Sequence, residues 1–377
     1  MLLDYETLRV IWWLLLGVLL IAFAVMDGFD LGVGILLPFV ARRDAERRVA
    51  INTVGPVWEG NQVWLILGAG AIFAAWPPLY ATAFSGFYIA MFLALAALIL
   101  RPVGFKFRSK VADPRWRRLW DSCLFVGGFV PALIFGVAVG NAIQGVPFRF
   151  DDRLLSIYEG GFFGLLNPFG LLAGITSVAM LSAHGACYLA AKTEEPVASR
   201  ARRAGGIAAV VFLVVFSLAG LWVLLGLEGY RLVSEAQPNG PSNPLGKEVV
   251  REPWVTVYGD RPWAFAAPLL GLIGVGLGAL LLRAGRAKAA LVANGAGIAG
   301  VVATPGLLMF PFILPSSLEP GSSLMVWDAS SSQLTLLIML IATVIFLPLI
   351  ILYTSWVYHV MRGKVTEEDV ESSDSAY

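Results

Sequence analysis

The segment VIWWLLLGVLLIAFAVMDGFDLGVGILLPFV spans residues 10–40, and its only charged side chains are Asp27 and Asp30. A helix needs about 20 consecutive apolar residues to cross the hydrocarbon core of a bilayer. A cleaved signal peptide is not expected, because Asp4 and Glu6 precede the apolar run, a basic n-region is lacking and no A-x-A site follows. The segment therefore predicts a retained first membrane helix that carries two acids.

The rest of the chain has the same apolar character. Of its 377 residues, 58% are hydrophobic and 14% are charged, whereas a soluble chain carries about 25% charged residues. This composition predicts an all-α integral membrane protein, because helices satisfy their own backbone hydrogen bonds in lipid. Nine stretches of spanning length lie at about 10–40, 49–75, 78–100, 119–143, 161–191, 205–228, 262–282, 289–314 and 333–361.

The basic residues predict an orientation. Most of the 27 Lys and Arg residues fall in short segments that follow the odd-numbered spans. Since Lys and Arg are held on the cytoplasmic side, the N-terminus is expected outside and the C-terminus inside a bacterial cytoplasmic membrane. The longest external segment, about 229–261, is expected to be an ordered loop. The acidic, Ser-rich residues 366–377 are expected to be disordered and cytoplasmic. A net charge of +1 gives no indication of nucleic-acid binding.

Three carboxylates lie inside predicted spans, where each costs about 2.5–3.5 kcal/mol near the bilayer centre. Asp27 and Asp30 are three residues apart and share one face of the first helix. The short connection to the second span makes the two helices antiparallel neighbours, so Glu59 is expected at the depth of Asp30. Other polar or aromatic residues of the second span extend or flank this patch, namely Asn61, Gln62, Trp58 and Trp64.

These carboxylates admit three interpretations. Closely placed acids in an apolar surrounding can hold and pass protons near neutral pH, which favours a proton path from the cytoplasm. A structural role is the alternative, with Asp27 bonded to backbone amides near Gly28 and Gly32 and Glu59 bonded to Asn61 or Gln62. A cation site is a third option, although hard cations usually draw on several carbonyl groups as well.

The chain contains only two histidines, His184 and His359. His184 lies within the fifth predicted span and is a candidate proton relay, haem ligand or hydrogen-bonded packing residue, whereas His359 is expected at the membrane surface. Asp328 with Ser330 to Ser332 is typical of the N-cap of the last helix. The two Cys residues lack the spacing of a metal site. The chain contains no nucleotide-binding or hydrolase motif that would indicate a soluble enzyme activity.

Several motifs resemble subunit II of cytochrome bd-type quinol oxidases. The most specific is WEGNQVW at 58–64. The others are AVMDGFDLGVGILLPF at 24–39, RRVAINTVGPVWEGNQVWLILGAGAIFAAWPPLYATAFSGFY at 47–88, RPVGFKFRSK at 101–110, GNAIQGVPF at 140–148, LLNPFGLLAG at 165–174, NPLGKEVVRE at 243–252, MFPFILPSS at 309–317 and SLMVWDASSSQLTL at 323–336.

The resemblance implies the non-haem subunit of a heterodimeric quinol:O2 oxidoreductase, inactive alone. Its partner, subunit I, would carry the quinol site and haems b558, b595 and d, and a bound quinone or lipid and small single-span subunits are further candidates. The two histidines agree independently, since three haems need more axial ligands than this chain supplies. The family fold implies a first four-helix bundle over residues 1–143, a second over 144–314, a peripheral ninth helix over 315–361 and a tail over 362–377.

In the family, acids of the first two helices are assigned to a proton path from the cytoplasm toward the oxygen-reducing haem. The motifs carry this role to Asp27, Asp30, Trp58 and Glu59. Relatives have Asp or Glu at position 59, and His or Gln at position 184. The expected function is therefore to stabilise the haem-bearing subunit and supply protons for reduction of O2 to water. The alternatives are a proton-coupled secondary transporter or a purely structural partner subunit.

Overall fold

The computed structural model describes residues 3–372, and these residues are mostly helical. The helices are α1 (Tyr5–Val40), α2 (Asp44–Val54), α3 (Trp58–Ala75), α4 (Pro77–Gly86), α5 (Tyr88–Phe107), α6 (Pro114–Gln144), α7 (Phe162–Leu165), α8 (Pro168–Lys192), α9 (Val197–Gly226), α10 (Val255–Asp260), α11 (Ala266–Arg283), α12 (Ala287–Met309), α13 (Gln333–Val360) and α14 (Glu367–Ser372). The strands are β1 (Phe148–Phe150), β2 (Ser156–Tyr158), β3 (Glu228–Leu232), β4 (Val249–Pro253), β5 (Phe312–Leu314) and β6 (Leu324–Met325).

Eight helical segments of the described chain are long and apolar enough to cross a membrane. They are Tyr5–Val40, Tyr88–Lys110, Pro114–Gln144, Pro168–Lys192, Val197–Gly226, Pro262–Arg283, Ala287–Met309 and Gln333–Val360. The second predicted span is represented by α3, whose first turns carry the polar residues Glu59, Asn61 and Gln62. The count of nine, the orientation and the division into two four-helix bundles stay predictions.

Two predicted spans are wrong in their bounds. The stretch 49–75 is divided into α2 and α3 by a turn at residues 55–57, because Pro56 has no backbone N–H to continue the hydrogen-bond ladder. The stretch 78–100 is divided after Gly86, and α5 runs on to Phe107 instead of ending at residue 100. Arg101 consequently lies within a helix and not in the following loop.

Helix α1 is the centre of the fold, packed against α3, α6, α8 and α12. Its glycines allow the closest approaches. A Cβ atom at Gly32 would clash with the backbone oxygen of Leu181 in α8, and one at Gly34 would lie 2.9 Å from the backbone oxygen of Leu124 in α6. Small residues are how membrane helices reach such contacts, and Gly28 and Gly32 together form a small face of α1 against Leu181 of α8.

Three antiparallel hairpins, β1–β2, β3–β4 and β5–β6, lie in the connections between the long helices. The connection between β3 and β4 reaches the start of α1, where the buried Arg9 donates to Ser330 Oγ at 2.7 Å and to Ser242 Oγ at 3.0 Å. The segment 229–261 is therefore ordered, as predicted. The N-cap of α13 is Ser332, which accepts from Thr335 N, whereas Asp328 pairs with Lys247 at 2.6 Å.

The expectation of a disordered tail is wrong for residues 367–372. They form α14, which packs against α2 with Val370 3% exposed. The Arg43 guanidinium contacts the Glu367 carboxylate at 2.7 Å, and Arg48 donates to the Val370 carbonyl. The segment is therefore held by Val370 packing, by the Arg43–Glu367 ion pair and by the bond from Arg48, contacts that a reading of the tail in isolation does not reveal. The predicted tail residues 373–377 lie outside the described part.

Candidate functional site: a buried ionic cluster on the central helix

The innermost acid of α1 forms a buried ion pair that the sequence did not predict. Asp27 is 0% exposed and Arg101 of α5 is 2% exposed. The Arg101 Nη2 and Nη1 atoms lie 2.8 Å and 3.0 Å from the two carboxylate oxygens of Asp27. This bidentate geometry is the strongest arrangement open to a guanidinium and a carboxylate. It fixes a negative and a positive charge together inside the apolar core.

The second acid of α1 is less completely paired. Asp30 Oδ2 accepts a hydrogen bond from Asn61 Nδ2 at 2.8 Å and lies 3.9 Å from Arg101 Nη2. Its Oδ1 atom is buried and has no hydrogen-bond partner among residues 3–372. A buried carboxylate oxygen without a partner is costly. Asp30 can therefore gain from a proton or from a water molecule at Oδ1.

A small cavity adjoins Asp30. Its volume is about 10 Å³, and Asp30 and Arg101 form its polar wall, with apolar side chains of α1, α2, α5 and α6 around the rest. A volume of about 10–15 Å³ is enough for the centre of one water molecule. The cavity lies on the side of α2, which carries the charged segment 42–48.

Helix α13 is joined to the cluster through Asn61. Tyr358 of α13 is half-buried, and its hydroxyl donates to Asn61 Oδ1 at 2.7 Å. Asn61 in turn donates to Asp30, so three side chains from three helices form one hydrogen-bonded series. Nothing in the sequence indicated Tyr358, because residues 61 and 358 are far apart in the chain.

Glu59 does not join the cluster. The prediction that it lies buried beside Asp30 is wrong, since its side chain is exposed. The turn at 55–57 begins a new helix, and residues two apart on a helix point about 200° away from each other. Asn61 therefore faces α1 and Glu59 faces outward. Gln62 is half-buried.

Trp58 is buried at 7% exposure and packs its ring against Phe105, with centroids 5.7 Å apart. Its Nε1 atom has no hydrogen-bond partner within the described chain. Trp58 lies next to Glu59 at the start of α3. It separates the exposed carboxylate from the core by one aromatic ring.

The cation alternative loses its support at this site. No group of three or more metal-binding side chains occurs among residues 3–372. Between Asp27 and Asp30, the Arg101 guanidinium already occupies the position that a cation would take. A guanidinium that belongs to the chain compensates the two buried carboxylates, whereas a metal ion would first have to lose its water ligands.

The two histidines lie in different surroundings. His184 is 1% exposed, and its Nε2 atom lies 3.0 Å from the Val25 carbonyl oxygen, inside the contact between α1 and α8. His359 is exposed and hydrogen-bonded to Arg362. Axial ligation needs an open ring nitrogen facing a cavity large enough for a porphyrin. The packing of His184 leaves no such space.

A second ionic network lies at the end of the bundle formed by the segments 41–48 and 108–121, here called the basic end. Glu46 accepts from Arg43 Nε at 2.9 Å and from Arg200 Nη1 at 2.7 Å. Burial alone would raise the pKa of Glu46, but these bonds and those from the backbone N–H groups of Arg42 and Arg43 outweigh it and lower the pKa to about 2. Glu46 is thus a fixed negative charge that holds three segments together.

Sequence reasoning found Asp27, Asp30 and Asn61 but missed Arg101 and Tyr358. A signal for Arg101 existed, since a lone Arg directly at the end of an apolar stretch is a candidate partner for acids within neighbouring spans. Its depth was misjudged because the helix was expected to end at residue 100. No comparable signal pointed to Tyr358.

The chain is similar to known proteins of one family. The family described as cytochrome bd terminal oxidase subunit II matches residues 8–361. The chain is 52% identical over 370 residues to the cytochrome bd-I ubiquinol oxidase subunit 2 of Escherichia coli strain K12, covering 98% of each chain. It is 48% identical over 372 residues to a probable cytochrome oxidase subunit 2 of Haemophilus influenzae, again covering 98% of each.

Among solved structures, the bd oxidase from Geobacillus thermodenitrificans is similar, with a TM-score of 0.70 at 17% sequence identity. The match covers 94% of this chain and 98% of that one. At this identity the likeness shows a shared fold.

Proposed function

Because this chain belongs to the cytochrome bd terminal oxidase subunit II family, we propose that it supplies a proton path to a membrane quinol oxidase whose haems lie in a partner subunit. As a member of that family it is a subunit of an oxidoreductase complex of the bacterial inner membrane. The proposal includes nine spans, an external N-terminus, a cytoplasmic C-terminus and a heterodimer with subunit I. Small single-span subunits and a bound quinone stay predictions.

The observation that carries the proposal is the hydrogen-bonded series Tyr358, Asn61 and Asp30, with its one open carboxylate oxygen. Asp30 would be the buried group that binds and releases protons, because one of its oxygens is unpaired and adjoins the cavity. Asp27 would hold Arg101 in place beside Asp30 through its bidentate ion pair. Glu59 would take protons from water at the surface, with Trp58 between it and the core.

In this arrangement the chain performs proton transfer and no redox step. Haems, when bound by the partner subunit, supply the electron transfer and O2 reduction. If quinol is oxidised at the external side and protons for O2 reduction enter from the basic end, charge is separated without a pumping cycle. The residues of this chain need only hold a proton at Asp30 and renew it from the basic end.

The test is Asp30→Asn in the purified two-subunit complex. Asn keeps the volume and accepts the bond from Asn61 but cannot carry a proton, so O2 consumption should fall by about 100-fold, in the range of lost acid–base groups. Glu59→Gln should cost less, because its exposed side chain lies outside the buried hydrogen-bonded series. Asp152→Asn, at an exposed loop carboxylate, is the matched control and should leave turnover unchanged.

The haem spectrum and subunit ratio of each variant separate this role from a purely structural one. The bidentate Asp27–Arg101 pair favours the structural alternative for Asp27. If Asp30→Asn lowers haem content in step with activity, the carboxylate stabilises assembly and does not conduct. Unchanged O2 consumption with full haem content would also contradict the proton path. The transporter alternative is not supported by the family to which the chain belongs. Substrate uptake by the reconstituted single chain would be needed to support it.

A further inference from the structure

A groove of about 390 Å³ lies at the basic end between α1 and α6. Its volume is in the range of small-molecule sites, about 300–1,000 Å³. One half of the groove is formed by charged or hydroxyl side chains and the other half by aromatic and aliphatic ones. It is separate from the Asp27–Asp30 cluster and takes no part in the proposed proton path.

The polar half offers hydrogen-bond donors to an anion. Arg47 donates from Nε to the Ala41 carbonyl and from Nη1 to Asp121, and Arg118 donates from Nε to the Pro114 carbonyl. Within residues 3–372, the Nη2 atom of Arg47 and both Nη atoms of Arg118 have no recorded acceptor. Guanidinium groups with spare N–H donors bind phosphate oxygens well, often through two parallel bonds.

The one acid in the groove does not cancel this charge. Asp121 is 6% exposed and accepts from Arg108 Nε at 2.6 Å as well as from Arg47 at 2.7 Å. Two guanidinium groups therefore already share its single negative charge. The groove itself is lined by two arginines, Arg47 and Arg118, and by this one aspartate, so its wall is cationic. The ion-paired network behind the wall holds three arginines and two aspartates, namely Arg47, Arg108, Arg117, Asp44 and Asp121.

The apolar half continues onto the surface of two membrane-spanning helices. Phe39 of α1 is 63% exposed, and its ring meets that of Phe125 edge-on at 6.3 Å. Val126, one position further along α6, is 38% exposed. Since α1 and α6 are both candidate membrane spans, these side chains face the acyl region just inside the level of the arginines. A soluble anion would leave this half of the groove unfilled.

We propose that the groove binds an anionic phospholipid. The phosphodiester accepts hydrogen bonds from Arg47 and Arg118, with the Ser122 hydroxyl beside it, and one acyl chain lies along Phe39, Phe125 and Val126. A cationic pocket between helices next to apolar surface is the arrangement by which membrane proteins select anionic lipid headgroups. The bound lipid would fasten α1, α2 and α6 together at the basic end.

The experiment uses the two-subunit complex, delipidated in dodecyl maltoside and titrated with dioleoylphosphatidylglycerol, with bound lipids counted by native mass spectrometry. Arg118→Gln should weaken the tightest site about tenfold, the scale of one charge-assisted hydrogen bond. Arg115→Gln is the matched control, because Arg115 is exposed on the same helix but outside the groove. Its affinity should equal that of the wild type.

A second variant, Val126→Glu, places a carboxylate in the acyl half and should also weaken the site about tenfold or more while leaving the arginines in place. Val126→Glu tests the lipid site independently if the Arg118→Gln complex fails to assemble. Equal affinity of Arg118→Gln and Arg115→Gln would overturn the proposal. So would equally tight binding of dioleoylphosphatidylcholine, displacement by millimolar inorganic phosphate, or a wild type that binds no dioleoylphosphatidylglycerol during the titration.

Discussion

Replacing Arg101 by Met removes the one cation that contacts Asp27 within residues 3–372. Asp27 is 0% exposed, so its charge would remain in the core without a counter-ion and without water. Breaking a buried ion pair by deleting one partner costs about 3–5 kcal/mol. For a chain of this size, with an unfolding entropy of about 2.1 cal/mol/K per residue, we expect the Tm of the complex to fall by about 4–6 °C.

The assay is thermal unfolding of the purified complex followed by tryptophan fluorescence, which the 12 Trp residues make sensitive, with the haem spectrum as a check on the partner. The double variant Asp27→Leu/Arg101→Met removes both charges and should recover most of the loss, since a buried pair can be replaced by apolar side chains at little cost. Arg115→Met, at an exposed position, should leave the Tm unchanged.

The reasoning fails if Arg101→Met unfolds within about 2 °C of the wild type, because the stated penalty then does not exist. It also fails if the double variant is less stable than Arg101→Met alone. That outcome would mean that the loss comes from packing volume around Arg101 and not from the unpaired carboxylate. The coupling between the two substitutions is therefore the decisive quantity.

Three further results are expected. Gly32→Ala should destabilise the complex by about 2 kcal/mol or more, because the added Cβ would clash with the Leu181 backbone, which cannot move as a side chain can. A Tm equal to that of the wild type would contradict the close packing of α1 on α8. The pKa of Glu46 is lowered in the folded chain from 4.5 to about 2, so its stabilisation is complete above about pH 4.5 and is lost as the pH falls toward 2. The Tm difference between wild type and Glu46→Gln, measured by a pH series, should shrink over that window, and a constant difference would refute the ion-pair account. Burial lowers the pKa of Lys247 and raises that of Asp328, while their ion pair opposes both shifts; Lys247→Met should therefore cost about 3 kcal/mol, and Lys247→Arg, its control, much less.

The apolar lengths and the family were accessible from the sequence, because spanning length and motifs are local properties. The bounds of spans two and three were not. Pro56 lies at the interruption of the second span, but whether a proline kinks a membrane helix or ends it depends on neighbouring helices that satisfy the freed carbonyl groups. The end of α5 was misplaced in the same way. The span was predicted to end at residue 100, so Arg101 was expected in a loop and not within the helix.

The site shows the same division. Residue spacing predicted that Asp27 and Asp30 share a face, and the structure gives both to one cluster with Arg101. Spacing also suggested that Glu59 would meet them, but the break at 55–57 changed the helical phase and presented Asn61 instead. Tyr358 enters the cluster from α13 across almost the whole length of the chain, a contact that only packing can create.

Local features of the sequence are enough to identify a helical membrane protein of the bd oxidase subunit II family with acids inside its first span. The reason is that apolar length, charge depletion and motif spacing act within a few turns of one helix. Packing between helices places Arg101 against Asp27, leaves one oxygen of Asp30 without a partner, and turns Glu59 outward. Those outcomes depend on depth and rotation between helices, and an error of one residue turns a helix face by about 100°.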